Sequence, residues 1–317
     1  MELLHLIKIP GILVTITFVL WVLVNMKTSR PDGKFIKKLH PYRKIMLYIM
    51  PTRNESVVYF EEYIDAQPLL DYLGKAEKYF DVDFTHAIVA ACGLGFVENP
   101  AMNQFVAGYR MYQRNEVFLS FAMKRKQKDN KAKLSTVKQE LKPGMNFREF
   151  CEEVNAKINK ERSGERTYAD KEFDLFNMIP RPLYFRAQKL FRQLDYWNIL
   201  PASFIENDPL YTSMFIANLG SLDMGAGFHH LYEWGTCPLF MMVGKIEERV
   251  VAQDGEMVIK KMIPIRFTYD ERIDDGLTAS YGIRTFKECL ETPEQTLGCL
   301  SEDESDYYDL SIPRSER

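Results

Sequence analysis

The stretch from Met257 to Leu290 constrains the fold more than any other. Met257 to Tyr269 is an apolar run long enough to be the centre of a sheet. The acidic segment Tyr269-Asp270-Glu271-Arg272-Ile273-Asp274-Asp275-Gly276 interrupts it, and Leu277 to Leu290 resumes with helical spacing. Ala279, Ile283, Phe286 and Leu290 make an i, i+4, i+7, i+11 stripe, and Thr292-Pro293 ends the helix. Asp275 suits the N-cap of that helix, where a carboxylate accepts from orphan backbone N–H groups.

Upstream, strands and helices alternate irregularly. Ser56 to Asp65 is strand-like, and Ala66 to Tyr79 has helical spacing with Leu69, Leu70, Leu73 and Ala76 on one side. Asp83-Phe-Thr-His86 opens a second helix that is apolar nearly all round from Ala87 to Val97, which predicts burial. Asn115 to Met123 reads as a strand, Lys124 to Lys133 as a charge-rich turn and Phe147 to Ile158 as an amphipathic helix. Residues 170–196 read as a long aromatic-rich helical segment, a core or subunit-packing feature, interrupted at Pro180 and Pro182. Ser213 to Gly220 and Pro238 to Ile246 are further apolar strands. Strands gathered late favour a mixed α/β sandwich over a doubly wound parallel sheet.

The chain has 317 residues, 46% of them apolar, enough for one large domain or two small ones. A net charge of −3 gives no overall drive toward nucleic acid. Its five cysteines form no C-x-x-C pair and are odd in number, as expected for free thiols in a reducing compartment.

The N-terminus departs from the rest. Ile9 to Met26 is an 18-residue run without charge, roughly 27 Å as a helix at about 1.5 Å per residue, close to the roughly 30 Å of a bilayer core. Residues 1–27 read as a membrane anchor, with a signal peptide and a buried soluble helix as the alternatives. Lys27, Arg30, Lys34, Lys37 and Lys38 follow the span, so the positive-inside rule predicts a single-pass protein with its C-terminal bulk on the cytoplasmic side of the membrane. Residues 28–50 read as a basic linker able to lie along anionic headgroups, 51–298 as the main domain, and 299–317 as an acidic disordered tail.

Several blocks occur in the order of a known family. They are Phe84 to Asn103, Phe215-Ile-Ala-Asn-Leu-Gly220, Leu239-Phe-Met-Met-Val-Gly-Lys245 and Asp270 to Gly276. Together they resemble the coenzyme A-dependent acyltransferases related to chloramphenicol acetyltransferase and the 2-oxoacid dehydrogenase acyltransferase domain. The resemblance covers roughly residues 50–295. It implies a two-layer mixed-sheet sandwich, a homotrimer with active sites between subunits, and a coenzyme A thioester as co-substrate, with no metal and no lipoyl group on this chain. The acceptor would be a small or lipid-like molecule. In the family an H-x-x-x-D-G motif supplies a histidine base, and a hydroxyl near an S-N-L-G turn supports the oxyanion. By that likeness Asn218, Ser221 and Gly276 would bind the co-substrate, and Asp275 would shape the closing loop.

Two positions depart from the pattern. Glu271 stands where the family has its histidine, and Ala217 where it has the serine of S-N-L-G. A glutamate of ordinary pKa, about 4.3, is poorly matched to a thiol near 8.5, so Glu271 reads either as a re-tuned base or as a loop-holding group. A second imidazole source lies in Gly227-Phe-His229-His230-Leu-Tyr-Glu233-Trp-Gly-Thr236. A strand would send His229 and His230 to opposite faces and group His230 with Tyr232 and Trp234, whereas a helical turn would set His229 beside Glu233. The spacing His230-x-x-Glu233 lacks the further ligand of a zinc hydrolase. The sequence thus supports a membrane-anchored acyltransferase using His229 or His230, or a relative that kept the fold and lost its base.

Overall fold

The computed structural model describes residues 2–124, 134–163, 178–274, 276–298 and 308–317, with side-chain surroundings from residue 11 onward. The main sheet runs in the order β2 (Val57–Asp65), β10 (Glu256–Asp270), β8 (Leu239–Val243), β7 (Met214–Asn218), β5 (Phe118–Lys124) and β6 (Leu134–Glu140). β9 (Glu247–Gln253) pairs with the first half of β10. The second half of β10 is antiparallel to both β2 and β8, while β8, β7 and β5 are mutually parallel. A small sheet joins β1 (Gly33–Phe35), β4 (Arg110–Arg114) and β3 (Gln104–Ala107).

Strand alternation decides which face meets the helices. Ile263, Ile265, Phe267 and Tyr269 of β10, with Leu239, Met241 and Val243 of β8, enter the main core. Phe240 and Met242 point the other way and pack with Phe215 and Leu231. The core face is covered by α3 (Gln67–Ala76), α4 (Phe84–Glu98) and α8 (Gly276–Glu291). α4 starts at Asp83, whose carboxylate accepts from Thr85 N at 2.8 Å and His86 N at 3.1 Å. It is buried from His86 to Phe96, as its all-round apolar sequence requires. α4 and α8 approach closely at glycines: a Cβ on Gly95 would lie 3.6 Å from the Gly282 carbonyl oxygen. α5 (Phe147–Arg162) opens on a reciprocal box in which Asn146 Oδ1 accepts from Glu149 N at 2.9 Å and Glu149 Oε2 from Asn146 N at 3.0 Å.

Several expectations are corrected. Residues 28–50 are not a linker. They contain β1 and α2 (Pro41–Ile49), Leu47 is in the core, and the buried Arg30 donates to Asp32 Oδ1 at 2.9 Å and Asp195 Oδ1 at 3.0 Å. The expected break at Pro180 and Pro182 is present: Met178 is helical, Ile179 and Pro180 are not, and α6 (Arg181–Tyr196) starts after them, because the first helical turn has no partner for the N–H that proline lacks. Residues 170–177 of that expected helix, and 125–133 of the charged turn, lie outside the described residues. The β3–β4 hairpin, which turns at Gly108 and Tyr109 with φ of 57° at both, was not foreseen.

At the N-terminus α1 (Glu2–Met26) is a helix, and Leu13, Val14, Phe18 and Leu23 are exposed on it. Among the described residues no helix is long and apolar enough to cross a membrane.

The C-terminal stretch 308–317 is not a disordered tail. Leu310 is fully buried and its N–H donates to Met145 O at 2.9 Å, while Arg314 reaches Glu98 Oε2 at 2.8 Å and Glu288 Oε2 at 2.9 Å. One leucine and one arginine offset the acidic composition because each finds a site prepared by distant residues. Leu310→Ala is therefore expected to lower unfolding free energy by about 2–4 kcal/mol, read as a shifted urea midpoint at constant slope.

Candidate functional site

The end of β10 is locked from below. Asp270 is buried, and its carboxylate accepts from Arg272 Nε at 2.9 Å, Arg272 Nη2 at 2.8 Å and Ser56 Oγ at 2.8 Å. Arg272 Nη1 donates to the carbonyls of Met50 and Pro51, each at 3.2 Å. The inward-turned arginine is thus spent on its neighbour two residues back, a bidentate pair that fixes the loop's exit angle. Glu271, between them, is exposed. Its backbone carries the contacts: its N–H donates to Ser56 O at 2.9 Å and its carbonyl accepts from Arg43 at 3.3 Å. Arg43 also pairs with Asp274 Oδ1 at 3.1 Å. Arg43 and Ser56 were missed in the sequence, since nothing marks residues more than 200 positions away as loop ties. Asp275 lies outside the described residues, and Gly276 opens α8.

Asn218 and Ser221 come together at another place. Asn218 Nδ2 donates to Thr85 Oγ1 at 3.2 Å, its Oδ1 accepts from Ser221 N at 3.3 Å, and Ser221 Oγ donates to Asn218 O at 2.8 Å. The turn needs Gly220, since a Cβ there would sit 2.8 Å from Gly244 O. Strand register separates this turn from the closing loop. Asn218 is level with Val243, and Val243 with Ile265 on β10. Asp270 lies five residues further along, roughly 16 Å at about 3.3 Å per residue. Within one chain the turn and the loop are therefore at opposite ends of the sheet.

The histidine segment crosses the sheet face away from the helices. It is neither strand nor helix, which overturns both geometries expected for it. The rings of His229 and His230 stack at 4.7 Å, His229 stacks on Phe240 at 4.0 Å, and Phe240 stacks on Phe215 at 5.0 Å. Thr268 Oγ1 donates to His229 O at 2.5 Å, which ties the segment to β10 two residues before Asp270. His229 Nδ1 donates to His230 O at 2.6 Å, so Nε2 is left as the basic nitrogen. Burial, with help from the neighbouring His230, pushes the His229 pKa below the usual imidazole range.

Glu233 is not His229's orienting partner. Its carboxylate accepts from Asn54 Nδ2 at 2.8 Å and Asn54 N at 3.0 Å, and so holds the turn before β2. Trp234 turns away to donate to Asp208 at 2.6 Å. A cleft of about 290 Å³ lies between this segment and the closing loop, with Arg53, Tyr109, Arg192, Trp234 and Arg272 among its walls. Arg53 is buried there and donates to Tyr232 O at 2.8 Å and Gly235 O at 2.5 Å. Among the described residues no cluster of three His, Cys, Asp or Glu side chains could hold a metal.

Comparison with known proteins agrees with the resemblance. Residues 211–298 match the family described as 2-oxoacid dehydrogenases acyltransferase (catalytic domain). A 53-residue stretch, 17% of this chain, is 47% identical to the dihydrolipoyllysine-residue succinyltransferase component of the 2-oxoglutarate dehydrogenase complex of Rickettsia bellii and spans 13% of that protein's length. The fold matches a probable dihydrolipoamide acetyltransferase from Listeria monocytogenes at 16% identity, over 87% of this chain and 99% of that one, with a TM-score of 0.54. It also matches a truncated catalytic core of the 2-oxoacid dehydrogenase multienzyme complex from Thermoplasma acidophilum at 15% identity, over 82% and 99%, with a TM-score of 0.51. The chain thus has the mixed-sheet fold of the coenzyme A-dependent acyltransferases, and its residues 211–298 carry the catalytic-domain match of the 2-oxoacid dehydrogenase members of that family.

Proposed function

We propose that this chain moves an acyl group from a coenzyme A or carrier-protein thioester to a small or lipid-like acceptor. The observation that carries this reading is the preserved closing loop, with Asp270 and Arg272 pinned beneath it, inside the matched segment 211–298. Because the Asn218 turn and the Glu271 loop lie at opposite ends of one sheet, a site that uses both takes the turn from one copy and the loop from another. A homotrimer, the assembly of the resembling family, meets that need. The apolar surface of α1 would hold the assembly at a membrane, with the basic residues after it on the cytoplasmic side.

His229 is the base in this reading, since Nδ1 is occupied and burial keeps the ring neutral. Nε2 takes the proton of the acceptor hydroxyl or thiol as that atom bonds to the thioester carbonyl carbon. The tetrahedral adduct then expels the coenzyme A sulfur, which recovers the proton from the imidazolium. Purified protein is expected to release free thiol from acyl-coenzyme A in the presence of an acceptor. His229→Ala should lose about 10²–10⁴-fold, while Glu271→Ala should change the rate only a few-fold. Equal rates across wild type, His229→Ala, His230→Ala and Glu271→Ala would sink the assignment.

The pH profile offers a separate check. A base with a depressed pKa keeps the rate level above pH ~6.5, the ordinary imidazole value, and the acid limb falls below that. The same shift makes His229 contribute stability above its unfolded pKa, lost as pH falls through the folded one, because the unfolded chain binds the extra proton in that window. His229→Gln should flatten this part of the stability profile.

A second reading is an inactive trimeric scaffold or partner-binding relative. The exposed carboxylate at Glu271 and the methyl at Ala217 favour it, and absence of thioester cleavage across a broad acceptor panel would establish it.

A further inference from the structure

Two helices far apart in sequence expose apolar side chains among basic ones. α2 is pinned by Leu47 in the core and leaves Tyr42, Ile45, Tyr48 and Ile49 at 56% to 64% exposure. No acidic residue lies between Gly33 and Met50, whereas Lys34, Lys37, Lys38, Arg43 and Lys44 do. α6 has no buried residue along its length, and Leu183, Phe185 and Leu190 are each 55% to 56% exposed. Arg181, Arg186, Lys189 and Arg192 stand against Asp195 alone on that helix. Lys189 Nζ sits 4.4 Å over the Phe185 ring, so charge and apolar surface are interleaved.

The helices converge. Tyr48 of α2 stacks on Tyr109 at 5.2 Å, and Tyr109 meets Tyr196 at the end of α6 at 6.3 Å. The end of α1 arrives at the same place, where Asn198 Nδ2 donates to Lys27 O at 2.8 Å and Arg110 reaches Asn25 O. The exposed apolar run of α1 is therefore continuous with this surface.

We propose that α2 and α6 form a docking face for an anionic lipid bilayer, lying along the headgroups rather than crossing them. Two such faces brought together would oppose like charges, whereas anionic headgroups complement the basic residues and the boundary region accepts the aromatic and aliphatic side chains. The concentration of positive charge stands out against the −3 of the whole chain, so the chain's field orients this side toward a negative surface. The inference does not rest on the acyl-transfer chemistry: Arg43, which ties the closing loop, and Arg192 and Tyr109, which line the cleft, take no part in the test below.

The test is partition of the full chain onto phosphatidylcholine vesicles with and without phosphatidylglycerol. Phosphatidylglycerol is expected to strengthen binding, and about 1 M salt, where the Debye length is ~3 Å, should remove the gain. Combined Arg181→Glu, Arg186→Glu and Lys189→Glu should weaken binding to the anionic vesicles about a hundredfold, at ~1 kcal/mol per basic residue near the surface, and leave binding to phosphatidylcholine through α1 unchanged. Leu183→Ser with Phe185→Ser should weaken both. All five side chains are exposed, so an unchanged thermal midpoint is expected and confirms folded protein. Partition indifferent to phosphatidylglycerol, or charge-reversed protein that binds like wild type, overturns the proposal. So does a serine variant that keeps its lipid binding but loses an oligomer, since a second copy would then cover the face.

Discussion

Asp270→Asn is expected to cost about 3–5 kcal/mol of folding stability. The carboxylate is buried and accepts from Arg272 through two nitrogens and from the Ser56 hydroxyl. An amide of the same size keeps the packing but removes the charge, and its NH₂ faces a guanidinium that can only donate. The uncompensated Arg272 stays buried against the Met50 and Pro51 carbonyls. Urea unfolding should show the midpoint fall with the slope unchanged. Glu271→Gln, one residue along and exposed, should stay within about 0.5 kcal/mol of wild type. Replacing the pair together, Asp270→Asn with Arg272→Met, should recover part of the loss, because the orphaned charge is then gone. Equal small effects for all three would mean that the pair does not hold the loop.

In a His229→Ala background, where the proposed base is gone, Glu271→His should raise acyl transfer by about 10²–10⁴-fold. The substitution puts an imidazole at the position of the family's base, in a loop whose shape rests on other atoms. The Glu271 backbone, not its carboxylate, binds Ser56 and Arg43, so the exchange leaves those bonds in place. The side chain is exposed, so the new ring meets no packing constraint. Stability should hold while the thioester cleavage rate rises. If the rate does not rise, Ala217→Ser added to Glu271→His tests whether the missing hydroxyl was limiting. Failure of both, with folded protein, would mean that the closing loop no longer lines the acyl site.

The elements of the second half of the chain were legible because each carries its own period. The apolar run ending at Tyr269 became β10, and the Ala279, Ile283, Phe286 and Leu290 stripe became α8, whose Ala279, Phe286 and Leu290 are buried. The candidate site was less legible. Asp270, Arg272 and Ser56 meet across 214 positions, and Arg43 reaches Asp274 across 231. No local pattern encodes such distances. His229 and His230 defeated the strand and turn readings because their backbone follows neither period; stacking on Phe240 positions them instead. The acidic tail and the basic linker failed for a related reason. Composition averages over residues, whereas Leu310, Leu47 and Arg30 each find one specific buried partner set.

By itself, then, the sequence determined the late strands and the helix that follows them, and the likeness of the Asp270–Gly276 loop to that of a family with a histidine where this chain has Glu271. These follow from short-range periodicity and side-chain identity, which are local properties. The tertiary structure alone decided that Arg272 turns inward to Asp270, that the Asn218 turn and the Glu271 loop lie at opposite ends of one sheet, and that α2 and α6 share a basic, apolar surface. Those are consequences of register and of contacts between residues far apart in the chain, and they exist only once the sheet has assembled.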